Sequence, residues 1–194
     1  AYLRQHMRRR SVTVVISPLL SLISDQLLAL RVLGIPAVAM SSTSKASDME
    51  AVMSGEAWMV YTTPETTLTA NFARAIEAGQ SKAGVSVDLI AIDEAHCISE
   101  WGVDDSGFRA SYAGLGRLRD MFPEVPVLAA TATATLRVEA DVTRSLRLVK
   151  PLRVRASMLR SNLAYDVKPK PKGGDAGAWV MAPLILRAMA SGAA

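Results

Sequence analysis

The chain has 194 residues, half of them hydrophobic, with aromatics at 5% and a formal net charge of +4. That length suits one domain, or one domain with part of another, around a largely aliphatic core. No apolar run is long enough to span a membrane, AYLRQHMRRR at the start lacks the apolar stretch of a signal peptide, and the single cysteine, Cys97, allows no internal disulfide.

Taken in order, the chain alternates apolar bursts with helical spacing. Val12–Ser17 predicts a buried strand, rich in β-branched residues. Ser17-Pro18 then reads as a cap followed by proline at the first helical position, with Leu19, Leu22, Ile23, Leu27 and Leu30 at helical spacing and Gly34 as the stop. Ala37–Met40 predicts a short strand. Ser47 and Glu50 make a capping-box pattern for a short helix. Ala57–Tyr61 predicts the next strand, with Trp58 as a core anchor. Thr63-Pro64 repeats the cap-then-proline start, for one helix running to Ala78. Val87–Ile92 and Val125–Ala130 predict two more strands, with a helix around Arg109–Met121 between them and another over Leu136–Leu146.

The end of the chain differs. Leu163–Val167 reads as a last short strand, Lys168–Gly177 as a linker or loop rich in Lys, Pro and Gly, and Trp179–Ala190 as a helix. Strands alternating with helices predict an α/β fold, a parallel sheet with helices on both faces. In such sheets ligands sit beyond the carboxyl ends of the strands.

Charge is unevenly placed. Acids outnumber bases between Asp25 and Glu124, whereas Arg137 to Lys172 is strongly basic. The basic stretch is either a solvated surface or a seat for nucleic-acid phosphates. Arg8-Arg9-Arg10 reads as a surface basic run, with a nuclear signal as the alternative.

The residues closest to chemistry follow the strand that ends at Ile92. Asp93 succeeds four apolar residues, so a rigid sheet would hold its carboxylate at the ligand crevice. Mg²⁺ chemistry uses such a group, because the ion keeps several waters and takes few protein ligands. Glu94 could orient or deprotonate an attacking water. The same two acids also suit the start of a helix, where the dipole favours negative charge. His96 and Cys97 do not make a zinc site, since the only other histidine is His6. Cys97 reads as an inert, buried thiol.

Asp93-Glu94-Ala95-His96, continuing as CISEWG, resembles the RecQ family of superfamily 2 DNA helicases. Val14–Gln26 is similar to that family's motif Ia, Tyr61–Glu65 to motif Ib, Phe122–Thr135 to motif III with its lead-in, and Leu159–Val167 to the segment closing the first motor domain. The resemblance spans about residues 12–168. It implies a RecA-like domain over residues 1–167, with 168–194 a linker and the start of the next domain. It also implies ATP and Mg²⁺ as cofactors, and 3′-to-5′ translocation on single-stranded and partially duplex DNA.

By the same resemblance, Asp93 would serve Mg²⁺, Glu94 the hydrolytic water, and His96 the link between nucleotide and DNA. Thr131 and Thr133 would relay the state of the nucleotide. Ser17, Pro18, Thr63 and Pro64 would touch the DNA backbone. Trp101 and Phe108 would stack on bases, and Arg109 would add a phosphate or stacking contact. The compartment implied is intracellular, the nucleus in a eukaryote and the cytoplasm in a bacterium.

Two departures stand out. The GxxxxGK[ST] phosphate loop is absent, and no Gly-Lys pair occurs anywhere in the chain. That loop and a second RecA-like domain are therefore expected from a longer parent protein. Where the family reads Trp-Gly-His-Asp-Phe-Arg-Pro, this chain has Val103 for histidine, Ala110 for proline, and Asp105-Ser106-Gly107 inserted. These departures keep a second reading open, that of a non-catalytic nucleic-acid-binding or scaffold protein derived from a helicase domain.

Overall fold

Alternating β-branched residues build the first strand: β1 (Ser11–Ile16) buries Val12, Val14 and Ile16 on one face. The computed structural model describes residues 11–18, 20–42, 44–99, 107–156, 162–163, 167, 181–183 and 185–187. Four further strands, β2 (Ala37–Met40), β3 (Met59–Thr62), β4 (Ser86–Ile92) and β5 (Val127–Ala129), join β1 in a five-stranded sheet of order β2-β3-β1-β4-β5. Every pairing is parallel. The register sets Val38, Val60, Val14, Ile90 and Val127 in one cross-sheet row, and Met40, Thr62, Ile16, Ile92 and Ala129 in another on the same face. A register shift after Val12 leaves Asp88 as an extra residue in β4, and its carboxylate accepts from the Ser11 and Ser86 hydroxyls.

The helices are α1 (Leu20–Val32), α2 (Ala46–Met53), α3 (Pro64–Thr67), α4 (Ala70–Ala83), α5 (Gly107–Gly114), α6 (Leu118–Met121) and α7 (Leu136–Ser145). Parallel strands need crossovers, and these are right-handed. The step from β1 out to β2 runs opposite to the steps β2 to β3, β3 to β4 and β4 to β5. Handedness therefore puts α1 on one face and α2, α4 and α5 on the other, which meets the expectation of helices on both faces. Packing agrees, for α2 lies against α4 and α3 against α5.

The helix-rich face carries the core. Phe72, Ile76, Tyr112 and Leu115 are fully buried against Val14, Val60, Ile90 and Ile92, each large side chain contributing about 1.5–3 kcal/mol. Phe72 and Tyr112 are the largest of these buried side chains, so an aliphatic core is built around two aromatic rings. The face that α1 covers is thinner: Val15, Leu89 and Ala91 are half-buried and Leu128 is 53% exposed.

Several expected boundaries move. The single helix expected from Thr63-Pro64 to Ala78 is two helices, because Thr69 caps a second start by accepting from the Phe72 amide. The short helix after β2 begins at Ala46, so Lys45 rather than Ser47 stands at the cap position, and Asp48 rather than Glu50 reaches back, accepting from the Lys45 amide. The helix expected around Arg109–Met121 is broken between Gly114 and Leu118 by a 3₁₀ turn (Leu115–Arg117). Trp58 precedes β3 and is half-buried. Gly84, at φ 62, ends α4 with its amide on the Gln80 carbonyl.

Two compact units divide the chain, Ala1–Pro151 and Leu152–Ala194, whereas the sequence puts the boundary at 167/168. In the second unit residues 152–156 are exposed and have no regular secondary structure, and 181–183 and 185–187 are helical. The tri-arginine run, the linker and most of the expected last strand lie outside the described residues. No described helix is long and apolar enough to cross a membrane.

Candidate active site

Parallel strands deliver their carboxyl ends to one edge, and the backbone ladder continues past them. Asp93 donates from its amide to the Ile16 carbonyl at 2.9 Å, Ser17 to the Thr62 carbonyl at 3.0 Å, and Ala130 to the Ile92 carbonyl at 2.9 Å. Ala95 donates back to the Ala130 carbonyl at 2.9 Å. Ser17, Asp93, Glu94 and Ala130 are thereby held beside one another by the sheet itself.

The Asp93 carboxylate accepts the Glu94 amide at 2.9 Å on one oxygen and the Ser17 hydroxyl at 3.3 Å on the other. Glu94 lies at φ 50, ψ 41, a left-handed conformation rare for a residue with a side chain. A 3₁₀ turn, Ala95–Ile98, follows. Its His96 Nδ1 stands 3.1 Å from Glu94 Oε2 and 2.9 Å from Thr131 Oγ1, and Nε2 is 3.8 Å from Cys97 Sγ. The Thr131 hydroxyl also accepts the Thr133 amide at 3.1 Å. Asp93, Glu94, His96, Thr131 and Thr133, which are scattered over forty residues of sequence, thus form one bonded group.

Of the DNA-side candidates, Ser17 belongs to this group. Ser17 is 1% exposed and its hydroxyl faces Asp93. Pro18 is half-buried. The Thr63 hydroxyl accepts the Thr66 amide and so caps α3, while Pro64 is buried at that helix start. Trp101 lies outside the described residues. Phe108 and Arg109 have their backbone in the first turn of α5, and their side chains lie outside the description.

Two contacts not foreseen from sequence bracket the 100–106 segment. Before it, Ser99 donates from Oγ to Asp141 Oδ2 at 2.7 Å, joining the 3₁₀ turn to α7. After it, the Tyr112 hydroxyl donates to the Asp93 carbonyl at 3.0 Å. The Ser99 hydrogen bond holds the Asp141 carboxyl below its ordinary range, burial opposes this, and Arg144 and Arg137 add to the lowering. Burial, above all, pushes the Tyr112 hydroxyl far up, with Cys97, Asp93, Glu94 and Glu65 adding to it. No local spacing could have revealed either pair. The only signal was a tyrosine where phenylalanine would have packed as well.

Among the described residues no three His, Cys, Asp or Glu side chains gather as a metal cage. A lone strand-tip carboxylate with a second acid beside it is still the donor set that a largely hydrated Mg²⁺ accepts. Two grooves, of about 590 Å³ beside Met49, Met53 and Arg74 and about 470 Å³ beside Leu27, Arg31 and Pro36, lie away from these carboxylates.

A DEAD/DEAH box helicase family model matches residues 1–142. The chain is 40% identical over 175 residues to ATP-dependent DNA helicase Q-like 2 of Arabidopsis thaliana, covering 87% of this chain and 24% of that protein. Against ATP-dependent DNA helicase RecQ of Haemophilus influenzae the identity is 38% over 165 residues, covering 83% and 25%. Against ATP-dependent DNA helicase Q1 of Rattus norvegicus it is 36% over 174 residues, covering 84% and 27%. The chain therefore spans about a quarter of the length of these relatives. Among solved structures, the Pyrococcus furiosus Hef helicase domain is 19% identical with a TM-score of 0.45, over 75% of this chain and 29% of that one.

Proposed function

The chain belongs to the DEAD/DEAH box helicase family, with RecQ-type DNA helicases as its relatives over most of its length, and from that premise we propose that it is the carboxylate-bearing part of the first motor domain of an ATP-dependent DNA helicase. Residues 1–167 form that partial domain, and 168–194 lead to the next. The whole protein would translocate 3′-to-5′ on single-stranded and partially duplex DNA.

The bonded group at the strand tips carries this reading. Bound Mg²⁺–ATP supplies the electrophilic phosphorus and neutralises the phosphate oxygens. Asp93, braced by the Ser17 hydroxyl and the Glu94 amide, keeps lone pairs free for Mg²⁺ or its waters. Glu94 accepts a proton from the attacking water. His96, bonded to both Glu94 and Thr131, joins the carboxylate to the segment holding Thr133. Pro18, Thr63 and Pro64 offer the DNA backbone a helix start, Trp101 and Phe108 offer faces for base stacking, and Arg109 a cation. Ser17 acts here mainly by bracing Asp93.

A Gly-Lys phosphate loop is not in this sequence, so the lysine and amides that cradle phosphates are assigned to residues outside it. The test is a single-stranded-DNA-stimulated ATPase assay on the whole helicase polypeptide beside this chain. DNA-stimulated hydrolysis by the whole polypeptide, with weak ATP binding and no turnover by this chain, supports the proposal. Robust turnover by this chain refutes the division of the site. No stimulated turnover by the whole polypeptide favours the scaffold reading.

A further inference from the structure

The peptide between Asp93 and Glu94 is pinned at both ends. Its N–H, from Glu94, donates to Asp93 Oδ1 at 2.9 Å, and its C=O, from Asp93, accepts the Tyr112 hydroxyl at 3.0 Å. On either side the chain is tied by Asp93 to the Ile16 carbonyl and by Ala95 to the Ala130 carbonyl. With both neighbours tied, Glu94 can leave φ 50 chiefly by turning this one peptide plane. That turn would break the Tyr112 bond.

We infer that Tyr112 is a positioning residue, whose hydroxyl locks the 93–94 peptide and so holds Glu94 in the left-handed conformation that sets its carboxylate against His96. The inference rests on the role proposed for Glu94. The ring of Tyr112 is 0% exposed and fills the core, a task that phenylalanine would perform equally. Its buried hydroxyl is costly unless bonded, and it donates to the Asp93 carbonyl. Tyr112 sits in α5, the helix entered directly from the 100–106 segment. One hydrogen bond therefore connects this helix to the catalytic peptide.

A purely structural role predicts something different. If Tyr112 only satisfied a spare carbonyl, its loss would lower stability and leave the geometry of Glu94 alone. Tyr112→Phe keeps the ring and removes the donor. In this chain, amide exchange followed by NMR should show the Glu94 amide exchanging about tenfold faster in the variant, while the Asp93 amide is unchanged. Equal Glu94 rates in variant and wild type overturn the inference. In the whole helicase the variant should lower kcat for ATP about tenfold at unchanged KM. An unchanged kcat, or a raised KM with kcat intact, also overturns it. Should the variant not fold, the unaltered chain decides: the Glu94 amide must be protected like that of Asp93, and an unprotected Glu94 amide overturns the inference. Absence of ATPase in the wild-type helicase would sink the proposed function instead, leaving the exchange result to stand or fall by itself.

Discussion

Replacing Glu94 tests whether the turn after β4 is strained. A side chain at φ 50 costs about 1 kcal/mol relative to glycine. Glycine loosens the unfolded chain and returns about 0.5–1 kcal/mol of that advantage. The Glu94–His96 pair is part-exposed, at 36% and 20%, and its removal costs about 0.5 kcal/mol or less. Glu94→Gly should therefore lie within about 0.5 kcal/mol of wild type, and Glu94→Ala, which keeps the strain and loses the pair, should be no more stable than Glu94→Gly.

The informative quantity is the sign of the glycine–alanine difference. In right-handed backbone glycine is worse than alanine by about 0.5–1 kcal/mol. Urea titrations of this chain, followed by circular dichroism, measure it directly. If Glu94→Ala exceeds Glu94→Gly by about 1 kcal/mol, the turn is not held left-handed and the argument fails. Glu94→Gln adds the functional arm. It should unfold like wild type, and in the whole helicase it should bind ATP yet hydrolyse it at least about 100-fold more slowly.

Packing and pH give two further expectations. A Cβ at Gly116 would collide with the Ser145 carbonyl, whereas one at Gly114 meets the end of the Leu68 side chain at 2.7 Å, which can rotate away. Gly116→Ala should cost about 1–3 kcal/mol in urea stability and Gly114→Ala clearly less; equal losses would refute the contact between the 3₁₀ turn and the end of α7. Because the Asp141 carboxyl is lowered, chiefly by Ser99, its contribution to stability is present above its ordinary value of 3.8 and is lost as the pH falls through the lower folded value. Ser99→Ala should therefore be less stable than wild type at neutral pH, with the gap narrowing in acid. A gap constant from neutral pH to below 3.8 would refute the link.

The parallel sheet was legible because buried strands leave a compositional mark, runs such as VTVVI and VDLIAI that no surface helix carries. Asp93 and Glu94 were legible as carboxylates at a strand tip for the same reason. What the sequence could not display was the backbone of Glu94. A left-handed residue is usually announced by glycine or asparagine, and here the turn is enforced from outside by Ile16, Ala130 and Tyr112. The division of the helix after β3 was legible in principle, since Thr69 is itself a capping residue, but the Thr63-Pro64 signal overshadowed it. The contact of the Ser17 hydroxyl with Asp93 was not legible, because the two follow neighbouring strands and lie 76 residues apart in sequence.

The relay proposed for His96 uses both a threonine and a carboxylate. Its Nδ1 faces Glu94 Oε2 and Thr131 Oγ1 at nearly equal distances, and one ring nitrogen carries one proton or one lone pair. With the proton on Nδ1, the stronger partner is the Glu94 carboxylate, a charge-assisted acceptor; the Thr131 hydroxyl accepts the Thr133 amide with either tautomer. With the lone pair on Nδ1, the threonine must donate, and an ionised Glu94 faces a lone pair and is repelled. An ionised Glu94 thus selects one tautomer. On the proposed roles, Glu94 loses that hold when it takes a proton from water, and His96 becomes free to accept from Thr131. On those roles, the chemical step is tied to a choice between two hydrogen bonds at a single atom, and the Thr131 hydroxyl donates in one state and not in the other.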